Sequence, residues 1–370
     1  SMGSSAAIIL SKSGNSFCAD GFQLRYTFDD TGSQNGLSLT HYLGDATELA
    51  VPEGVTVIGN SAFYENQTLT KIILPESVAT LESLSFCDCS ALMELILPQG
   101  LKEIGSSAFS GCSALTSVDI PDGVETVGGY IASNNLKLRC SMGSSAAIAL
   151  SKAACNFCAD DFALRYSFDS TGAINGLIAM RYLGKATVVA LTLPEGVTET
   201  DPYLLSSFYA DNVMSLTLPE GFKKLNLDSF IWRKAIIFPE TIQSVTIEDE
   251  WEEGEDIPLI FYCYHDTVAE SYAQKRGISI VYLDGFQPKQ TAIAMREYTE
   301  LTVGTTLSLT DIAAAIPYMP EGCTLTAVSE DPSVLQVNND GTISVIGKGN
   351  TTLKVSLSQY PDVTVSADFC

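Results

Sequence analysis

The sequence predicts a mainly β protein: a coiled repeat array in two duplicated units, then a small β-sandwich. Three observations carry this. Prolines 52, 75, 98 and 121 stand 23 residues apart three times running, and a strict period of that length marks a solenoid. Residues 1–50 and 141–190 align without gaps and agree at 32 of 50 positions. From about residue 287 the texture becomes strict apolar alternation. The expected boundaries are 1–140, 141–286 and 287–370.

Other positions keep the 23-residue step: Phe63, Phe86, Phe109; Leu69, Leu92, Leu115; Ile72, Leu95, Val118; Leu74, Leu97, Ile120; Val55, Val78, Leu101, Val124. One coil reads from Cys89 to Gly111. Leu92, Leu95 and Leu97 have the L-x-x-L-x-L spacing of a short strand with alternate side chains inward, and Pro98 ends that strand because it has no N–H for a ladder. Leu101 and Ile104 then point back in, Gly105 offers a turn, and Ala108 with Phe109 fills the far side. No coil buries these residues alone; stacking buries them continuously.

In each copy of the duplicated segment, the stretch from Phe22 or Phe162 onward alternates, turns at Thr-Gly and Asn-Gly, and alternates again to Tyr42-Leu43-Gly44 or Tyr182-Leu183-Gly184. This predicts a β-hairpin opening each array. The second array is less regular, with Pro194, Pro219 and Pro239 spaced 25 and 20 apart. It is expected to close with a helix: Thr267 to Glu270 forms a capping box, Lys275 and Arg276 fall in the last turn, and Gly277 follows. Strand 278–283 and a linker around Pro288 come next. Beyond it, Leu301/Val303, Leu307/Leu309, Ile343/Val345, Leu353/Val355/Leu357 and Val363/Val365 alternate, and Asn339-Asp340-Gly341 signals a hairpin.

Composition removes several functions. Acidic residues outnumber basic ones 44 to 20, for a net charge of −24, so a phosphate backbone or anionic membrane is repelled at long range. No apolar run reaches the 18 or more residues of a membrane helix. No basic segment precedes the apolar stretch from Ala6 to Leu10, so a signal-peptide pattern is not seen at the start. With two histidines, His41 and His265, there is little material for His-based zinc or acid/base chemistry. No nucleophile-elbow, zincin, Walker or dinucleotide motif occurs. No cofactor, metal site or catalytic residue is expected.

The pattern C-x-x-L-x-x-L-x-L-P-x-x-L-x-x-I-G-x-x-A-F from Cys89 to Phe109 resembles the BspA-type leucine-rich repeat of bacterial and some protist surface proteins. Tyr262 to Ala273, ending in strand 278–283, resembles the closing segment of such arrays. Leu301 to Gly304, Ser329 to Val334, Gly341 and Gly349 to Leu353 resemble a bacterial Ig-like domain of group 2, although the segment lacks a Trp. The resemblance implies a non-enzymatic protein, at the cell surface or secreted, that binds a host or neighbouring-cell protein or a glycan. The alternative is an accessory module of a larger secreted enzyme.

Candidate sites compete with plainer readings. Cys155 and Cys158 have C-x-x-C spacing, but Asn15 takes the place of Cys155 in the first copy. Cys89 and Cys112 hold the slot of a small buried residue, filled by Asn66 one coil earlier, and read as inert thiols. Cys18, Cys140, Cys158 and Cys263 could pair only in an oxidising compartment. His41 reads as a solvent-facing strand residue. The acidic run from Glu248 to Asp256 could offer calcium its oxygens but lacks EF-hand spacing and reads as a solvated loop. The remaining candidate is a face. If Leu95 and Leu97 point inward, Lys71, Ile73, Glu94, Ile96, Ser117 and Asp119 form two outward columns, one of them apolar at Ile73 and Ile96. Contiguous exposed apolar surface marks a partner site, unless a neighbouring domain or second chain covers it.

Overall fold

The computed structural model describes residues 11–132, 136–184, 189–204, 213–228, 234–248, 259–296 and 301–369. The chain divides into two compact units, 1–175 and 176–370.

Unit one opens with three antiparallel strands, Phe17–Ala19, Phe22–Phe28 and Gln34–Tyr42. Leu24 stands opposite Leu39 and Tyr26 opposite Leu37, and all four are buried. The turn between the long strands sits at Thr31-Gly32, where the Asp29 carboxylate accepts from the Thr31 and Ser33 amides. Asn35-Gly36, expected at a turn, instead lies inside the third strand. A Cβ at Gly36 would run into the hydroxyls of Thr27 and Thr56.

Strand Gln34–Tyr42 turns the hairpin into a solenoid. It pairs in parallel with Val57–Ile58, which begins a ladder continued by Thr80–Leu81, Glu103–Ile104 and Thr126–Val127. A second ladder runs Glu48–Ala50, Lys71–Ile73, Glu94–Ile96. The coil side chains point inward as their spacing predicts: Leu92, Leu95, Leu97, Leu101, Ile104, Ala108, Phe109 and Cys112 are all buried. Phe63 and Phe86 stack with ring centroids 5.0 Å apart and Phe86 and Phe109 at 6.2 Å. Tyr42 and Phe22 carry this spine back into the hairpin.

A third row closes each coil. There the Phe63, Phe86 and Phe109 amides donate to Ser85, Ala108 and Ile131 carbonyls one coil on. Its bends use left-handed backbone at Ser61, Leu84 and Ser107, and again at Glu65, Asp88 and Gly111. These residues keep the 23-residue step too, yet only Gly111 betrays the conformation by its type.

Residues 141–160, for which the sequence suggests no element, contain helix Ser145–Lys152, capped by the Ser144 hydroxyl, which accepts from the Ala147 amide. Its buried face is Ala146, Ala147, Ala149 and Leu150.

In unit two, Ile174–Tyr182, whose first residues fall before the division, leads a parallel ladder through Glu199–Thr200, Lys224–Asp228 and Ser244–Glu248. The companion ladder is Ala190–Thr192, Ser215–Thr217, Lys234–Ile237, Leu259–Cys263, Ser279–Tyr282. Helix Val268–Arg276 closes it, with Thr267 as N-cap and Gly277 left-handed. The reciprocal bond of the capping box is displaced by one residue: the Glu270 carboxylate accepts from the Asp266 amide.

The C-terminal segment has one two-stranded and two three-stranded antiparallel sheets around a core that includes Met295, Leu309, Ile312, Leu335, Ile343, Leu353, Val355 and Phe369. The hairpin at Asn339-Asp340-Gly341 joins Leu335–Val337 to Thr342–Val345. Leu301 and Val303, expected in a strand, sit at a turn. The segment around Pro288 is a packed junction and not a bare linker. Phe286 lies edge-on to Tyr262 at 6.4 Å and to Tyr318 at 5.7 Å.

Candidate functional site

The strand ladder of unit one sets the candidate face. Alternation sends Ile72 and Leu95 inward and leaves their neighbours outside. Register places Lys71 beside Glu94 and Ile73 beside Ile96. Lys71 Nζ lies 2.8 Å from Glu94 Oε2, and this pairing holds the ammonium pKa above its usual value. Ile73 and Ile96 are 39% and 41% exposed, and Met93 at the strand entrance is 65% exposed.

Ser117 and Asp119 depart from the expected columns. Strand Ser117–Asp119 belongs to a different sheet and pairs with Lys137–Arg139. The column ends at Ile96 although the step from 94 to 117 is still 23 residues, and the 20-residue step from 117 to 137 falls inside the next sheet. Arg139 Nε donates to Asp119 Oδ1 at 2.6 Å. Beside this break lies an open concavity of about 890 Å³, lined by Glu94, Ile96, Ser117, Asp119, Arg139 and Met142 among others. Four of the six sequence-nominated residues thus meet at one depression, with Lys71 and Ile73 one strand away. Its lining mixes the Arg139–Asp119 ion pair with exposed apolar side chains such as Ile96 and Met93.

The equivalent face of unit two is covered in part, with Ile260 beside Ala235 still 38% exposed. Ala235, Ile237 and Tyr262 point outward there in register, but they are buried with Ile316 and pack against Val281, Leu283, Phe286 and Ala294.

The described cysteines are all free thiols. The Cys89 and Cys112 thiols donate to the Phe63 and Phe86 carbonyls at 3.0 Å, which fits the inert reading. Burial raises the Cys155 pKa, the reverse of an activated thiol, and pushes Cys140 up to about 12 and Cys263 to about 11. None of Cys18, Cys140, Cys158 and Cys263 is bridged. His41 is exposed on its strand. His265 stacks on Tyr282 at 3.6 Å and its Nδ1 meets the Asp284 carboxylate; the Tyr282 hydroxyl donates to Glu270 at 2.7 Å. That cluster ties the closing helix to the last strand. The acidic run 248–256 lies outside the described side chains. Among the described residues no group of His, Cys, Asp and Glu is placed to hold a metal ion, and no helix is long and apolar enough to cross a membrane.

A search of curated proteins finds no significant match. Among solved structures the chain is similar to a leucine-rich repeat protein from Bacteroides capillosus, at 25% identity over 33% of this chain and 97% of that one, with a TM-score of 0.29. It is also similar to a leucine-rich cell surface protein from Faecalibacterium prausnitzii, at 15% identity over 72% and 94% with a TM-score of 0.31. The pneumococcal vaccine antigen PcpA is similar at 13% identity over 73% and 98%, again with a TM-score of 0.31. Residues 41–158 match the BspA type leucine-rich repeat region in six copies, the stretch that holds the 23-residue coils described above.

Proposed function

We propose that this chain is a non-enzymatic binding protein, displayed at a cell surface or secreted, that recognises a host or neighbouring-cell protein or a glycan through the outer face of its first array. The observation that carries the proposal is the contrast between the two arrays. Ala235, Ile237 and Tyr262 of the second array are covered by packed neighbours, whereas Ile73, Ile96 and Met93 remain open, the last two lining a concavity, and exposed contiguous apolar surface is where partners bind. In this reading the organisation is 1–140 and 141–286 as two leucine-rich units and 287–370 as a bacterial Ig-like domain of group 2 that acts as spacer. Surface display follows from the BspA-type resemblance.

The test is binding of the purified chain to arrays of extracellular matrix proteins and glycans, repeated with Ile73→Glu/Ile96→Glu. Loss of binding with unchanged hydrodynamic size and melting temperature supports the reading. Undiminished binding by the double variant refutes this face, and unfolding refutes the strand register.

A further inference from the structure

The outer ladder of the first array is interrupted, and the interruption is local. In its intact part the Thr70 carbonyl accepts the Met93 and Glu94 amides, and the Leu74 amide donates to the Ile96 carbonyl. One coil on, the same pattern would run from the Thr116 amide to the Met93 carbonyl and from the Leu97 amide to the Asp119 carbonyl. Neither bond forms, and among the described residues no strand pairing joins Glu94–Ile96 to Ser117–Asp119. The other two rows stay closed over that step: the Lys102 carbonyl accepts the Glu125 and Thr126 amides, and the Phe109 amide donates to the Ile131 carbonyl. Ser117–Asp119 is held on its far side by Lys137–Arg139. Folded structure around the break therefore fixes it in place.

Two strand edges face the concavity at this break, and their unpaired N–H and C=O groups are the complement of an extended polypeptide backbone. The side chains select the charge. Glu94, Asp119, Asp122 and Asp160 line the concavity against Arg139 as its one cation. Lys71, one strand away, is taken by Glu94, and Arg139 by Asp119. The Asp122 carboxylate accepts from the Ser141 amide, which holds it below the usual carboxylate range, and Asp160 is exposed. Among the described residues no cation pairs with either. Met93, Ile96 and Met142 add exposed apolar surface.

We propose that this break binds an extended basic segment of a partner protein. Its backbone completes the open strand edge, its lysine or arginine side chains neutralise Asp122 and Asp160, and an aliphatic side chain between them covers Ile96 and Met93. The inference rests on the face assigned above to recognition and narrows it to a protein over a glycan, and to a basic partner over an acidic one. The net charge of −24 steers such a segment toward the chain, and salt weakens the attraction.

The probe is a fluorescein-labelled peptide, Arg-Arg-Ile-Val-Ile-Arg-Arg, titrated with the full chain at physiological ionic strength and read by fluorescence anisotropy. Asp122→Asn/Asp160→Asn keeps an acceptor for the Ser141 amide and a residue type that tolerates the left-handed backbone at 160. Its affinity should fall about tenfold or more. Asp30→Asn/Glu53→Gln, the same charge change at exposed positions outside the concavity, should bind as the unaltered chain does. Bound peptide should also slow hydrogen exchange at the Leu97 amide of the unaltered chain. Absence of binding, equal affinities of the two variants, or unchanged exchange at Leu97 overturns the proposal. The face and its occupant fail separately. A matrix protein or glycan whose binding is abolished by Ile73→Glu/Ile96→Glu but unchanged in Asp122→Asn/Asp160→Asn leaves the face standing and removes the basic segment.

Discussion

The aromatic spine of the first array is the sharpest test of how its coils are held. Phe86 is fully buried and lies between Phe63, nearly parallel at 9° and 5.0 Å, and Phe109 at 24° and 6.2 Å. Phe86→Ala removes the ring from a site where the coils above and below are pinned by backbone ladders, so collapse is limited. Core Phe→Ala changes cost about 3–5 kcal/mol, and loss of aromatic partners adds ~0.5–1.5 kcal/mol per pair; the expected loss is therefore toward the upper end, ~4–5 kcal/mol. In a urea titration followed by far-UV circular dichroism, the substitution should shift unfolding to lower urea. Ile96→Ala, on the outer face of the neighbouring strand, should cost below ~1 kcal/mol, as surface changes do. A Phe86→Ala loss under ~1 kcal/mol, or an Ile96→Ala loss equal to it, would mean that the inward and outward assignments are reversed.

Gly111→Ala forces a left-handed backbone on an L-residue and drives a Cβ into the Asp88 carboxylate, so melting temperature should fall by the equivalent of at least roughly 1–2 kcal/mol. Asp29, Asp169 and Asp340 accept turn hydrogen bonds that hold their carboxyl pKa values below 3.8. Their contribution is complete above the unfolded value and is lost as pH falls through the folded one, so the melting temperature should decline below pH 3.8, less steeply in Asp29→Asn/Asp340→Asn; equal slopes would refute the assignment. With Phe286 wedged between Tyr262 and Tyr318, trypsin should cleave slowly after Lys289 and rapidly in Phe286→Ala; fast cleavage of the unaltered chain would restore a free linker.

Sequence periodicity made the coil interior legible because stacking puts residue i+23 over residue i, so one inward position repeats as one residue class: Leu92 under Leu115, Phe86 under Phe109. Backbone conformation carried no such signal. The left-handed sites at Ser61, Leu84 and Ser107 are held by ladder bonds to the next coil, which override residue preference, and nothing in Ser, Leu, Ser announces them. Helix Ser145–Lys152 buries mostly alanine, so it shows no wide apolar stripe; Ser144 three residues before Ala147 was its one readable cue. Asn35-Gly36 looked like a turn, but Gly36 is needed where two threonine hydroxyls crowd the strand. Within the candidate face, strand alternation placed Lys71, Ile73, Glu94 and Ile96 correctly on the outside. The break before Ser117 leaves no trace in the spacing, because the step from 94 to 117 is still 23 residues.

The two arrays then show how one architecture reaches opposite surface states. An outward strand position is free to vary because it touches no coil interior, so its chemistry records what lies outside. In the second array outward Ala235, Ile237 and Tyr262 are matched by Ile316, Ala294 and Phe286, and burying them contributes at about 25 cal/mol per Å² of apolar surface. At the corresponding rung of the first array Ile96 keeps the apolar type of Ile237, but its neighbours are Glu94 and, across the break, Asp119 paired with Arg139. Charged groups at those points would be costly under a permanently packed domain unless fully paired, and are tolerated at a surface that alternates between water and a partner. The mixture of isoleucine with screened ion pairs on the first array therefore differs in kind from the apolar cluster of Ala235, Ile237 and Tyr262, which lies under packed neighbours.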